Sequence, residues 1–402
     1  MTNDKDYQVE RDILDALRNI DHEHLIKVIA AFTWRGKKYL MFKLANGGNL
    51  RELWSSRDPD NSKKLTADAV IWALGQMKGL VEAVSKLHTF DSHRNIRHGD
   101  LKPENIVRFT GSNTRENERG LLQVADMGLG KVRDHATALI PTKTGDQLGT
   151  ERYFSPELSQ KKKAISRADD MWAIGCTFLE FIIWVLYGRD GYLTFFRCFS
   201  TSESFFVITP AGVKRRDEVQ QWIDYVYKHD LRRDDNACTS IALRSVLDFI
   251  CEKLLIADRE PEKTNADTET PNPPAATEQP RVTVDEPQTE DAEPRLIRRA
   301  TSDEFFETLK TICEKGAAEP DYILSRDPQR DPSGPSVSAA HVPETNTVGG
   351  LLSAVNNSFI RRRSANSIPQ ANTQVCCNVL HVLSRPLPLL LLTMIQNVSF
   401  QR

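Results

Sequence analysis

The sequence predicts an α+β fold in which a few strands near the N-terminus precede a mainly helical body. Three observations support this prediction. Apolar residues recur with helical spacing in the longer segments, two apolar segments flank a tight turn at residues 34–37, and the composition changes sharply after about residue 257. A chain of 402 residues with 40% hydrophobic and 27% charged residues is long enough for more than one compact unit.

The N-terminal elements are predicted to be one helix followed by two strands. In residues 6–19, four apolar side chains share one helical face: Val9, Ile13, Leu14 and Leu17. Residues 25–33 and 38–44 are apolar and lie on either side of the turn, so they predict a hairpin. The Asn-Gly-Gly sequence at residues 46–48 ends the second strand.

Helices dominate the rest of the globular part. Apolar periodicity predicts helices over residues 50–56 and 66–89, followed by short strands and loops to about residue 165. A strongly apolar helix is predicted from Asp169 to about Tyr187, and an insertion over residues 188–220 follows it.

One more helix is predicted near residue 300. Thr301 or Ser302 can cap its N-terminus, and Asp303 and Glu304 occupy the first turn, where acidic residues stabilise a helix. Its apolar residues have the spacing i, i+4, i+7, i+8: Phe305, Leu309, Ile312 and Cys313.

The segments on either side of this helix are predicted to be disordered. Residues 261–294 contain seven prolines and no Leu, Ile, Met, Phe, Tyr or Trp, so they cannot bury enough surface to offset the entropy of ordering. We therefore predict a disordered insertion over residues 259–297, a folded helix over 298–316 and a disordered tail over 317–402.

Charge and cysteine usage limit the classes of partner. Lys and Arg number 53 against 55 Asp and Glu, so no overall basic field favours a nucleic acid. The apolar run at 387–395 is far shorter than the ~20 residues of a membrane span, so we expect no stable membrane anchoring. Seven cysteines without metal or disulfide spacing favour a reducing compartment, which we expect to be the cytoplasm, or the nucleus if the basic cluster at 361–363 directs import.

The chemistry is concentrated in one short segment, residues 98–105, with the sequence His-Gly-Asp-Leu-Lys-Pro-Glu-Asn. Asp100, Lys102 and Asn105 lie within this segment, and Asp126 follows a second apolar strand 21 residues after Asn105. Phosphoryl transfer from a nucleotide needs a group that orients the attacking hydroxyl, a cation near the moving phosphate and oxygen ligands for magnesium. These four side chains supply that set.

The order and spacing of the motifs resemble the large lobe of a eukaryotic protein kinase of the serine/threonine type. Residues 98–105 resemble the catalytic loop of the family, and residues 126–128 (Asp-Met-Gly) resemble its magnesium-binding triplet. Residues 149–157 resemble the end of the activation segment, and residues 170–175 the start of the central helix. The resemblance implies a protein-kinase-like fold.

In this fold, residues 1–45 would form a partial small lobe of one helix and two strands, and residues 46–258 would form a mainly α-helical large lobe. The helix over 298–316 would be the last helix of the large lobe.

The resemblance also implies a role for each residue of the loop. Asp100 would orient the hydroxyl of a protein substrate, and Lys102 would stabilise the phosphoryl group in transfer. Asn105 and Asp126 would hold Mg²⁺. ATP would be the phosphoryl donor.

Four positions would surround the nucleotide. The backbone at Lys43 and Ala45 would face the adenine edge, Asn49 lies where a ribose contact is common, and Val107 would line the same cleft.

Five further residues would be structural. Glu10 corresponds to the helix glutamate that pairs with the phosphate-binding lysine of the family, although it also suits the first turn of a helix. His98 would belong to a packed spine, and Asp170 would anchor the catalytic loop. Glu157 would pair with a buried arginine, for which Arg299 fits better than the acidic Glu262, with Arg298 or no partner as the alternatives.

Two departures from the family pattern affect the expected activity. No glycine-rich phosphate loop and no lysine-bearing strand precede Glu10, so we expect impaired catalysis from this sequence. Gly99 replaces the arginine that pairs with a phosphorylated activation segment in many relatives. The alternative function is that of a catalytically inactive pseudokinase that acts as a protein-binding scaffold.

Overall fold

The structure is a computed structural model of the 402-residue chain. It describes residues 19–34, 37–56, 65–90, 95–111, 119–126, 131–133, 151–159, 166–199, 203–257, 298–325, 334–335 and 377–381.

A strand pair forms the N-terminal part of the described structure. Strands β1 (Val28–Trp34) and β2 (Lys37–Lys43) are antiparallel, with a register that runs from Val28 opposite Phe42 to Trp34 opposite Lys37. The two strands therefore agree closely with the predicted hairpin. The helix expected over residues 6–19, with Glu10, lies almost entirely outside the described residues.

Two helices follow the hairpin, α1 (Leu50–Ser55) and α2 (Ala67–His88). Each begins at a polar residue whose side chain accepts a backbone hydrogen bond: Asn49 accepts from Glu52 at 2.9 Å, and Thr66 accepts from Ala69 at 3.2 Å. Such N-caps satisfy backbone donors that the first helical turn leaves without a partner. Both helices start within one residue of the positions that the periodicity predicts.

Short strands flank the segment that carries the chemistry. They are β3 (Asn95–Arg97), β4 (Ile106–Phe109), β5 (Leu121–Val124) and β6 (Lys131–Arg133). Strand β4 pairs antiparallel with β5, with Ile106 opposite Val124, and β3 pairs antiparallel with β6. This pairing places residue 105, just before β4, close to residues 125 and 126, just after β5.

The centre of the helical body is α3 (Arg167–Arg197). Its central residues are buried, as a helix with apolar side chains on all sides requires. Gly188 has non-helical backbone angles, φ 67° and ψ −160°, so the first helical segment ends near Tyr187 as predicted, and a second helical segment continues to Arg197 beyond this kink. By length and hydropathy α3 could cross a membrane, but 94% of its most apolar window is buried inside the protein.

The remaining elements complete the helical body. A hairpin of β7 (Phe206–Thr209) and β8 (Gly212–Arg215) leads into α4 (Asp217–His229), α5 (Ile241–Phe249) and a π-helical turn at Ile250–Leu254. Short helical turns also occur at Pro103–Asn105, Glu151–Tyr153 and Pro156–Ser159.

The last long helix, α6 (Ser302–Ala318), packs against α2 and buries Phe305, Leu309 and Ile312. The ring of Phe305 stacks on Phe249 of α5 at 4.7 Å between centroids. The predicted helix over 298–316 is thus present and docked on the body.

The tail differs from the prediction of disorder over residues 317–402. A helical turn at Pro320–Ile323 buries Tyr322 and Ile323, and Gly334 lies against the ring of Trp222. This turn is ordered because the side chains at 322 and 323 have apolar surface to bury. The polar residues around them dominate the composition, so the sequence does not predict it. Further along, β9 (Cys377–His381) pairs antiparallel with β2 as a third strand of the N-terminal sheet.

Candidate active site

The carboxylate of Asp100 is held by its neighbours in the loop between β3 and β4. Its Oδ2 accepts hydrogen bonds from Lys102 Nζ at 2.7 Å and from Asn105 Nδ2 at 2.9 Å. Both Asp100 and Lys102 remain partly accessible. No described residue donates a hydrogen bond to Oδ1, so this oxygen can accept one from an incoming hydroxyl.

Asp170, near the start of α3, fixes the backbone of this loop. One carboxylate oxygen accepts from the N–H of His98 at 2.8 Å, and the other accepts from the N–H of Gly99 at 2.8 Å. His88 at the end of α2 contacts the first oxygen at 2.9 Å. Burial raises the pKa of the Asp170 carboxyl, but these hydrogen bonds and the nearby imidazoles outweigh it, so the net pKa lies below its usual value.

His98 connects the loop to the strand that carries Asp126. Its fully buried ring donates from Nε2 to the carbonyl of Ala125 at 2.9 Å and accepts the N–H of Asp100 at Nδ1, at 3.3 Å. One nitrogen donates and the other accepts, which is the pattern of a neutral imidazole. The ring is therefore placed as a structural link, the position that the resemblance implies for it.

A backbone hydrogen bond brings the chain at the two predicted magnesium ligands close together. The N–H of Ala125 donates to the backbone carbonyl of Asn105 at 2.9 Å, and Asp126 is the next residue. Asp126 is exposed and has a φ of 58°, a left-handed conformation that aspartate tolerates better than most residues and that occurs often at functional sites.

The side-chain oxygens of Asn105 and Asp126 are of the kind that binds Mg²⁺. The Asn105 amide nitrogen is used by Asp100, which leaves the amide oxygen without a hydrogen bond from the described residues. No group of three or more His, Cys, Asp and Glu side chains suited to a metal occurs in the part of the chain that the structure describes. One carboxylate and one amide oxygen are instead the small protein contribution that Mg²⁺ takes when phosphates and water complete its coordination.

A small apolar cluster lies between the strand pair and the helical body. Its buried members are Ile26, Phe42 and Ala125, and Val28 and Val107 pack against it. The N–H of Ile26 donates to Val124 at 3.0 Å and so ties the start of β1 to β5. Val107 packs against this apolar cluster, and its contact with a nucleotide stays a prediction.

The other three predicted nucleotide contacts lie near this cluster in sequence and structure. Lys43 is exposed at the end of β2, with its ammonium group 5.4 Å from the ring centroid of Phe109, and Ala45 is half-buried. The side-chain oxygen of Asn49 accepts one hydrogen bond as the cap of α1, which leaves its amide nitrogen and the second lone pair of the oxygen for a ribose. Nucleotide binding by these residues stays a prediction.

Glu157 and Arg299 form the ion pair that the sequence predicts. Arg299 Nη1 lies 2.9 Å from Glu157 Oε2, and Nη2 lies 3.1 Å from Oε1. Arg299 also donates to the carbonyls of Leu254 at 3.0 Å and Ile256 at 2.7 Å. This pair joins the end of the activation-segment motif to the residues just before α6.

Some residues around the site are not found by sequence reasoning. Buried Arg51 and Glu180 form a network beside the Asp100 loop together with Glu104, whose side chain is 40% exposed, and His88 supports Asp170. Only Glu180 leaves a usable signal, because it is the one charged residue in the apolar stretch 171–187 and a buried carboxylate needs a partner. Residues 127–128 and Glu10 lie outside the described residues.

Comparisons with known proteins agree with this geometry. The chain matches the protein kinase domain family over residues 1–223. It is 28% identical over 167 residues to the probable serine/threonine-protein kinase nek3 of Dictyostelium discoideum, which covers 42% of this chain and 13% of that protein.

Two other relatives show similar identity. The chain is 31% identical over 162 residues to a calcium/calmodulin-dependent protein kinase of Metarhizium anisopliae, which covers 40% of this chain and 37% of that protein. It is 30% identical over 168 residues to serine/threonine-protein kinase 33 of Bos taurus, with 42% and 31% covered. In each case the aligned part is well under half of the relative's length. With the family match over more than half of its residues, this chain belongs to the protein kinase family.

Proposed function

We propose that this chain transfers the γ-phosphoryl group of ATP to serine or threonine hydroxyls of a protein, with Mg²⁺ as the metal ion. One observation carries the proposal: Lys102 and Asn105 both hold Oδ2 of Asp100, while Oδ1 is left for a substrate. A carboxylate fixed in this way can orient a hydroxyl and accept its proton during transfer.

Each neighbouring side chain has a matching task. Lys102 is the cation nearest to Asp100, and its charge opposes the negative charge that develops on the moving phosphoryl group. Asn105 and Asp126 would hold Mg²⁺ through their side-chain oxygens. The metal, when bound, neutralises charge on the phosphates of the nucleotide.

For the location in the cell we propose the cytoplasm, and the alternative is the nucleus, with import directed by residues 361–363.

The test combines binding and transfer. Calorimetry of the full chain with ATP is expected to show binding that needs Mg²⁺ and weakens in Asp126→Asn. Labelled ATP and a mixed protein substrate should give label on serine or threonine, which acid hydrolysis of the product identifies. Label found on tyrosine alone, or transfer that persists unchanged with excess EDTA, would contradict the proposal.

A further inference from the structure

A buried polar network lies directly beside the Asp100 loop, and Arg51 of α1 is at its centre. The Arg51 side chain is only 7% exposed. Proposed phosphoryl transfer uses none of its atoms. Hydrogen-bond acceptors and carboxylates offset the cost of burying a guanidinium, so the partners of Arg51 indicate what it holds together.

Arg51 contacts three separate parts of the chain. Its Nε donates to Oε1 of Glu104 at 2.9 Å, and Glu104 lies between Lys102 and Asn105 in the catalytic loop. Its Nη1 donates to Glu180 on α3 at 3.4 Å and to the hydroxyl of Tyr192. Its Nη2 donates to the hydroxyl of Tyr153, in the segment that resembles the end of the activation segment.

The same segment is also attached to α3 from its other side. Glu180, which is fully buried, accepts the Tyr153 hydroxyl at 2.9 Å and Arg152 Nε at 3.3 Å. The guanidinium of Arg152 lies 4.5 Å from the ring centroid of Phe196 and 3.9 Å from that of Phe199. Residues 151–153 therefore share Glu180 with Arg51.

Charge and protonation agree with this arrangement. Desolvation raises the pKa of the Glu104 carboxyl, but the charge and hydrogen bond of Arg51 outweigh it, so the net direction is downward. Burial raises the pKa of Tyr153, so its hydroxyl keeps the proton that it donates to Glu180. Two arginines face two carboxylates, and the planar fork of Arg51 reaches partners that a lysine could not bridge together.

We infer that Arg51 is a positioning residue that couples the loop carrying Asp100 to the segment Glu151–Tyr153. Its partners are carboxylates and phenols of this chain, so the coupling requires no phosphorylated residue, in agreement with Gly99 at the position before Asp100. The consequence for substrate alignment rests on the proposed function, whereas the coupling itself can be measured without any phosphoryl transfer.

Hydrogen exchange of the full chain tests the coupling. The reporters are two backbone hydrogen bonds, Asn105 N–H to Lys102 at 3.0 Å and Phe154 N–H to Glu151 at 3.1 Å. The variants are Arg51→Lys, which keeps the charge, and Tyr153→Phe, which removes one hydroxyl. Arg244→Lys is the matched control, because Arg244 is 14% exposed and pairs with Asp235 far from the loop in sequence.

Arg51→Lys is expected to speed exchange at both reporters about tenfold, which corresponds to 1.4 kcal/mol. Tyr153→Phe should speed exchange at Phe154 and, through Arg51, at Asn105 as well, while Arg244→Lys should change neither. A Tyr153→Phe variant with wild-type exchange at Asn105 would overturn the inference, as would an Arg51→Lys effect confined to one reporter.

Two further readouts distinguish a positioning role of Arg51 from a general loss of stability. If Arg51→Lys also speeds exchange in the core of α3, the substitution lowers the stability of the whole fold. The exchange rate at Asn105 in Tyr153→Phe then shows whether the coupling exists. If transfer is measurable, Arg51→Lys should raise the KM for the protein substrate more than the KM for ATP, and equal changes in both would count against a positioning role. A wild-type chain with no transfer contradicts the proposed function, and the exchange data still judge the coupling.

Discussion

Replacement of Arg299 by methionine tests whether α6 is fixed to the body by a buried ion pair. Arg299 has no exposed side-chain surface, and Glu157 is 10% exposed, so loss of the guanidinium leaves a nearly buried carboxylate without its cation. Breaking such a pair costs about 3–5 kcal/mol. The carbonyls of Leu254 and Ile256 lose their donors in the same substitution, which places the expected cost in the upper part of that range.

Urea unfolding of the full chain measures this cost. With a slope of about 3 kcal/mol per molar urea, the transition midpoint of Arg299→Met should fall by about 1.3 to 1.7 M. Arg298→Met is the matched control. Arg298 is adjacent, but 53% exposed, and its pair with Glu304 is on the surface, so the expected loss is below about 1 kcal/mol. Equal midpoints for the two variants would refute the assignment of Glu157 to Arg299.

Three other variants test local features. A β-carbon at Gly79 of α2 would lie 2.1 Å from the ring of His24, whereas one at Gly75 meets nothing within 4 Å. Gly79→Ala should therefore destabilise the chain by about 1–3 kcal/mol and Gly75→Ala should stabilise it by up to about 1 kcal/mol, both by urea unfolding; the same sign for both would contradict the packing. The Arg298 hydrogen bond lowers the pKa of Glu304 from 4.5 to about 2. The stability from this group is thus fully present above pH 4.5 and lost as the pH falls towards 2, so Glu304→Gln should flatten the pH dependence of unfolding in that window; an unchanged slope would count against the pair.

Local sequence signals predict those helices whose ends are set by residues next to the ends. The helices expected over 50–56 and 66–89 appear as Leu50–Ser55 and Ala67–His88, because Asn49 and Thr66 cap them. The kink in α3 also has a local signal. Glycine accepts the non-helical φ of 67° at Gly188, so the first helical segment ends near Tyr187 as predicted and a second segment continues to Arg197.

The residues of the candidate site form two groups, those that a local motif predicts and those that only the tertiary structure brings together. Asp100, Lys102 and Asn105 are within six residues, so a sequence motif is enough to predict that they lie together. Arg51 and His88 belong to helices whose own patterns give no reason for a charged or titratable residue to be buried. Their partners, Glu180 and Asp170, lie 129 and 82 residues away, and only tertiary packing brings them into contact.

The glutamate–arginine pair is an instructive intermediate case. Glu157 and Arg299 are 142 residues apart, and the intervening proline-rich segment hides their relation from local patterns. The prediction of their contact depends on charge sign, since Glu262 cannot neutralise a carboxylate. A polar segment can be inserted at low cost, because each doubling of loop length adds only about 0.6 kcal/mol.

The most direct test of the proposed function compares Asp100→Asn with Asp190→Asn in a transfer assay. The purified full chain is incubated with labelled ATP, Mg²⁺ and a serine- and threonine-containing protein, and label on the protein is counted. Asp190 is the control because it is 73% exposed on α3 and its carboxylate contacts only Arg189 among the described residues. Transfer should be lost in Asp100→Asn and retained in Asp190→Asn, while both variants still bind Mg-ATP. Equal transfer by Asp100→Asn and the wild type would contradict the assignment, and Mg-ATP binding without any wild-type transfer would favour the pseudokinase scaffold.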